Sequence, residues 1–230
     1  GNLKINFGKN NKGESVSWFV LGRDSGVNGG AENTVLQAYD SLVDESAQVQ
    51  FNATGSRAYT DNQETYTGGT PQNIAGNHYG GSDVRKKLQQ WAQSVDYFTT
   101  AEQAMMNTTT VTTQDTLNNA EYTTSDKLYL PQAHCGKGRP EDKDNRTLYL
   151  GSQDDKQIDM SILKITFWTR TPIAENASEV TFAQSLNGKN YASNAAVNSS
   201  LQVAPATNIN LSDVLFASAV PTSGNVENLK

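Results

Sequence analysis

Apolar and polar residues alternate at both ends of the chain, and the middle is broken by long polar stretches. Leu3, Ile5 and Phe7 alternate with polar neighbours, Gly8 to Gly13 supply a turn, and Val16, Trp18 and Val20 alternate again. That pattern predicts a β-hairpin over residues 3–22. Residues 22–30 read as a polar loop. Val35, Leu36, Tyr39, Leu42 and Val43 suit a helical face or a strand, and strand followed by turn is preferred for 34–43. Residues 51–81 are punctuated by Asn and Gly, with Tyr59, Tyr66 and Tyr79 interleaved. A stretch so long with so little periodicity is expected to be functional or mobile.

Helical spacing follows. Ser82 is placed to cap a helix over 82–94, with Val84, Leu88, Trp91 and Val95 on one face. Thr99-Thr100-Ala101-Glu102 has the form of a capping box and predicts a second helix over 100–107. Residues 108–113 and 127–130 read as strands, 132–157 as a second polar loop, and 158–168 as apolar and β-prone. Val180 and Phe182 open a hairpin whose turn is Asn187-Gly188 and whose return begins at Tyr191. Leu201 to Leu211 closes the series, and Pro205 argues for a strand at a sheet edge. No internal repeat is found. The expected fold class is α+β, a mainly antiparallel sheet with two short helices and long loops. Residues 1–220 are expected to form a single domain, and 221–230 a C-terminal tail or linker.

Composition narrows the setting. Charged residues are 18% and hydrophobic residues 36% of the chain, with Asn, Thr, Ser and Gln filling the gap. A net charge of −6 over 230 residues is too modest for a disordered chain of that hydrophobicity, and it supplies no footprint for nucleic acid. The only basic triplet, Arg85-Lys86-Lys87, reads as a solvated helix face. One cysteine, Cys135, precludes an intrachain disulfide. No apolar run reaches the roughly 18 residues of a membrane span, so no membrane insertion is expected. The chain starts at Gly1 without Met, and any export signal is expected upstream.

Candidate chemistry is sparse. Tyr59, Tyr66, His78 and Tyr79, with Trp91, could stack on a sugar or a peptide, although pinning their own loop is the preferred role. His134 and Cys135 are sequence neighbours, whereas a nucleophile and its base must be brought together by the fold. The acidic stretch 141–145 and Asp154-Asp155 lack the spacing of a calcium-binding loop. Two histidines and one cysteine serve zinc poorly. The glycine pairs lack the Lys-Ser/Thr of a phosphate-binding loop, so no cofactor and no metal are expected. Nothing singles out a carboxylate pair for glycoside hydrolysis.

One series of motifs carries a resemblance. Phe167-Trp168-Thr169-Arg170-Thr171-Pro172, then Asn187-Gly188, then Val203-Ala204-Pro205-Ala206, then Val214-Leu215-Phe216-Ala217-Ser218-Ala219 resembles the closing third of an uncharacterised domain. That domain is common in cell-surface proteins of Gram-positive gut bacteria and reads Trp-Leu-Arg-Ser-Pro, Val-Arg-Pro-Ala and Val-Leu-Phe-Ala-Ser-Ala. Here Thr171 replaces Ser, and Ala204 stands where Arg is usual. The order of elements is also similar to the C-type-lectin-like plan, in which terminal strands pair, two helices flank them and long loops carry recognition. The resemblance implies an extracellular or cell-wall-associated interaction module binding a surface carbohydrate or protein, or a structural spacer. A hydrolase is the less favoured reading. Trp168, Arg170 and Pro172 are expected to brace the fold, with Trp168 packed against Trp18 or Trp91 and the Arg170 stem beside the indole.

Overall fold

The computed structural model describes residues 3–24, 33–53, 56–58, 73–133, 146–152, 156–186 and 189–210. Its main sheet runs in the order β1 (Lys4–Lys9), β2 (Ser15–Gly22), β3 (Asn33–Ala38), β18 (Ala206–Asn210) and β10 (Leu128–Tyr129). A short strand, β7 (Met106–Asn107), also pairs with β18. One three-stranded sheet comprises β11 (Gln132–Ala133), β12 (Thr147–Leu150) and β13 (Lys156–Asp159). Another comprises β14 (Phe167–Pro172), β15 (Glu179–Leu186) and β16 (Lys189–Ala196). Three ribbons complete the strands. They pair β4 (Val49–Gln50) with β17 (Ser200–Leu201), β5 (Ser56–Ala58) with β6 (Asn73–Ala75), and β8 (Thr109–Gln114) with β9 (Glu121–Asp126). These pairings are all antiparallel. With helices α1 (Asp83–Trp91) and α2 (Thr100–Met105), the architecture is α+β and mostly antiparallel sheet.

One hydrophobic cluster runs from Phe7 to Ile209 and joins these layers. Strand β3 lies between β2 and β18 and is buried at all six positions. Its fully buried setting explains why its sequence has no alternation. The Trp18 indole donates to the Phe7 carbonyl at 2.6 Å, fixing the β1–β2 hairpin onto the core.

Both helix starts are held by side chains. The Ser82 hydroxyl accepts from Arg85 N at 3.1 Å, and Asn52 Oδ1 accepts from Asp83 N while Asp83 accepts from Ala53 N. The Thr99–Glu102 capping box forms in full. Glu102 also accepts from Gly8 N at 2.8 Å, tying α2 to the first hairpin. Gly8 has φ +68°, and a Cβ there would lie 2.4 Å from the Phe98 ring, so both backbone and packing require glycine.

Several expectations need correction. Helix α1 stops at Trp91 rather than 94, because tight turns over 92–98 bring Phe98 into the core against Phe7 and stack Trp91 on Tyr97. Val95 is left on the outside, 68% exposed. The stretch 132–157 holds the three short strands β11 to β13 rather than only loop. The apolar run 158–168 is not one strand. Asp159 accepts from Ser161 N at 2.8 Å and starts a tight 3₁₀ turn over Met160–Ile162. Pro205 does not mark an edge: β18 has neighbours on both sides. The proline sits one residue before the strand and only its carbonyl is used, accepting from Ala38 N at 2.9 Å. Arg85 is not on a solvated face but is buried. The Asn187-Gly188 turn, the Val214–Ala219 motif and the 221–230 tail lie outside the described residues, although β15 and β16 flank that turn in register, with Leu186 opposite Lys189. Among the described residues, no helix is long and apolar enough to cross a membrane.

A candidate binding groove

The β8–β9 ribbon alternates strictly on β8: Thr109, Val111 and Thr113 are buried, while Thr110, Thr112 and Gln114 are exposed. Its closing turn is locked by Asp115, whose Oδ1 accepts from Leu117 N at 3.2 Å and from Ala75 N at 2.9 Å. Asn119 takes the left-handed conformation there, φ 57°, which Asn tolerates better than most residues. Opposite the ribbon, the end of β14 is pinned to β11. Arg170 N donates to the Pro131 carbonyl at 2.9 Å, and the Thr171 hydroxyl accepts from Ala133 N at 2.9 Å.

Between ribbon and strand end lies a groove of about 360 Å³. The ribbon side contributes Thr112, Thr113, Gln114, Thr116, Asn119 and Glu121; the other side contributes Gln132, Arg170, Thr171, Pro172 and Ala174. Arg170 and Thr113 are its most recessed members, 3% and 5% exposed, while Thr112, Gln114 and Glu121 stand at the rim. The described lining residues thus comprise one recessed cation, one rim carboxylate, and otherwise mostly hydroxyls and primary amides. Among the described residues, the lining includes no histidine, cysteine or aromatic ring.

A buried polar layer supports this floor. His78 Nε2 meets the Thr113 carbonyl at 3.2 Å. Burial pushes the His78 pKa down to about 4, against the opposing pull of Asp115. Behind it, Arg85 donates from Nε at 2.8 Å and from Nη2 at 2.6 Å to Asp126 Oδ1, and from Nη1 to the Gly80 carbonyl at 3.2 Å. Thr124 donates to the second Asp126 oxygen at 2.9 Å. Burial raises the Asp126 pKa, with Arg85 opposing, and raises that of the enclosed Tyr79 hydroxyl well above its usual range.

The residues singled out from the sequence fall in different places. His78 and Tyr79 are fully buried, so neither ring faces solvent; His78 packs edge-on against Tyr122. Tyr59, Tyr66, His134, Cys135 and the acidic stretches 141–145 and 154–155 lie outside the described residues. Trp168 is buried, but its neighbours are Phe51 and Phe182, with ring centroids at 5.8 and 6.4 Å, rather than Trp18 or Trp91. Its indole donates to the Val49 carbonyl at 2.8 Å. Arg170 and Pro172 line the groove. Ala204 is buried, and its carbonyl accepts from Gln37 Nε2 at 3.0 Å. The rim residues Thr112, Gln114, Glu121 and Gln132 escaped the sequence reading, since polar residues on short polar strands leave no apolar period. Among the described residues, no three His, Cys, Asp or Glu side chains gather as they would around a metal ion.

Acid should expose the role of His78. The folded protein keeps the imidazole neutral down to about pH 4, whereas the unfolded chain protonates it below its ordinary value of 6.5. The unfolded state therefore binds the extra proton, and stability should fall as pH drops from 6.5 to 4, by up to about 3 kcal/mol. Below pH 4 this contribution should level off. Asp126 acts in the opposite sense, because its raised pKa lets the folded state take up a proton first. Urea midpoints measured across that range check the slope, and an equal slope in His78→Gln would assign it elsewhere.

Residues 34–211 match the family described as Domain of unknown function (DUF6273), and the chain belongs to that family. No curated protein and no solved structure matches it.

Proposed function

We propose that this DUF6273 member is a non-enzymatic interaction module of the cell exterior, holding a carbohydrate in the groove between the β8–β9 ribbon and the end of β14. The observation that carries the reading is the lining itself. A recessed arginine is surrounded by Thr112, Gln114, Thr116, Gln132 and Thr171, whose hydroxyls and amides all both donate and accept hydrogen bonds. A saccharide presents hydroxyls of the same dual character around its ring. A protein partner needs buried aromatic or apolar anchors, and among the described lining residues only Pro172 and Ala174 are apolar. Among the described lining residues Glu121 is the one carboxylate, and the reading as a binding module rather than a two-carboxylate hydrolase draws support from that.

The extracellular setting, on a Gram-positive surface, rests on the motif resemblance and the neutral-polar composition; a gene without an export signal would overturn it. A C-type-lectin-like plan is part of the same proposal. It draws support from β18 returning beside the N-terminal strand β3, and from the presence of two helices. The competing reading is a structural spacer. A glycan array probed with the full chain, and with Thr112→Val and Gln132→Ala, separates them. At least one glycan should bind, and both rim substitutions should weaken it about tenfold with little change in melting temperature, as expected for losing a hydrogen bond made only to ligand. An empty array, or binding indifferent to both substitutions, would leave the spacer reading in place.

A further inference from the structure

We infer that Asn77 is the positioning residue of this groove: its buried amide ties the two walls together and sets the spacing that a saccharide meets. This rests on the carbohydrate reading of the same groove. The wall at the end of β14 continues into a turn over 173–179 that closes on itself. Asn176 N donates to the Ile173 carbonyl at 3.2 Å, Glu179 N to the Asn176 carbonyl at 3.0 Å, and Ile173 N to the Glu179 carbonyl at 3.3 Å. Asn77 Nδ2 meets the same three carbonyls, at 3.1 Å to Ile173, 3.1 Å to Asn176 and 2.8 Å to Glu179. Each carbonyl oxygen has two lone pairs, so it can serve the turn and Asn77 at once.

The other end of the amide holds the opposite wall. Asn77 Oδ1 accepts from the Thr116 hydroxyl at 3.0 Å. Thr116 lies in the turn that closes the β8–β9 ribbon and lines the groove, as Ala174 of the 173–179 turn does. The residue after Asn77, His78, meets the Thr113 carbonyl of the floor. Thr116 is 39 residues from Asn77 in the chain, and the three carbonyls are 96 to 102 residues away. No sequence neighbourhood therefore fixes the distance between these walls; the amide joins them in space.

Asn77 is fully buried and is not itself a lining residue, so it acts through the walls rather than on the ligand. That matters for a sugar in particular. Each neutral hydrogen bond to a sugar hydroxyl replaces one to water at little net gain. Affinity and selectivity then depend on walls already held at the right spacing before the ligand arrives.

Two substitutions cut this link at opposite ends. Asn77→Asp keeps an acceptor for Thr116 but turns an oxygen toward the three carbonyls, and Thr116→Val removes only the ribbon contact. Spin labels at Leu117→Cys and Glu175→Cys, both exposed and outside the lining, report the spacing of the two turns in the full chain carrying Cys135→Ser. Each substitution should lengthen and broaden the measured distances. The double variant should go no further than the larger single effect, because both cut one connection. On the glycan array, Asn77→Asp should weaken the preferred glycans about tenfold and leave the poorest ones unchanged, flattening the ranking. Unchanged distances in Thr116→Val, shifts that add in the double variant, or a ranking indifferent to Asn77→Asp overturns the inference while the carbohydrate reading stands. Thr116→Val, which deletes one hydrogen bond, decides the matter if Asn77→Asp does not fold. Distances that respond as expected beside an empty array would uphold the coupling of the walls and defeat the carbohydrate reading alone.

Discussion

Deleting residues 1–32 should leave the remainder unable to fold, even though residues 34–211 contain the whole family match. Strands β1 and β2 place Phe7, Val16, Trp18 and Phe19 in the core. Burying side chains of this size is worth about 1.5–3 kcal/mol each. The four together approach the roughly 5–15 kcal/mol by which a domain is stable at all. Other ties break with them: Glu102 loses Gly8 N, Phe98 loses the Phe7 ring at 5.4 Å, and Lys9 N no longer donates to the Tyr97 carbonyl. Strand β3, buried at every position, would also become an open apolar edge, which invites pairing between chains. Expressed as residues 33–230, the protein should be insoluble or lack a cooperative unfolding transition. A soluble, cooperatively unfolding fragment would show that the hairpin is dispensable.

The same hairpin was the plainest feature of the sequence. Leu3 to Val20 alternates, and Phe7, Val16 and Trp18 of that series are buried, while Leu3 at its start is exposed and Phe19 is buried on the other face. Gly8 and Gly13 provide positive φ at 68° and 78°. The Thr99–Glu102 box and the Ser82 cap were equally plain, because capping is decided within four residues and needs no tertiary partner. Legibility failed where distant partners decide the structure. Strand β9, Glu-Tyr-Thr-Thr-Ser-Asp, has no apolar alternation; its inward positions are Thr124 and Asp126, and the latter is acceptable inside only because Arg85 arrives from α1. Arg85 looked like surface for the matching reason, since a basic triplet on a helix does not reveal which member turns inward. The groove lay beyond reach as well. Its lining comes from β8, the β8–β9 turn, β9, β11 and β14 with the residues after it, and no local signal unites Thr112 with Arg170. Trp168 could be recognised as an anchor from its apolar run, but Phe51 and Phe182 as its neighbours are a product of topology.

Asp126→Ala should destabilise the protein by about 3–5 kcal/mol, the cost of stripping a buried ion pair of one member. Both partners are almost wholly enclosed, at 3% and 0% side-chain exposure, so water cannot replace the carboxylate beside Arg85. The Thr124 hydroxyl would lose its acceptor at the same time. The surface pair Lys12–Asp44 gives the contrast. Lys12 is largely solvated, and removing Asp44 should change stability little. The buried pair still need not be a net source of stability, because desolvating two charges offsets most of their attraction. Replacing both members, Arg85→Met with Asp126→Leu, should therefore recover most of what Asp126→Ala loses. The recovery should also be accompanied by an intact groove, since Arg85 and Asp126 lie behind the floor and do not line it. Chemical denaturation of the two single variants and the double variant gives the coupling between them directly. A loss below about 1 kcal/mol for Asp126→Ala would place the pair among ordinary surface bridges, and a double variant no better than the singles would mean that Arg85 holds Gly80 and its helix by more than charge.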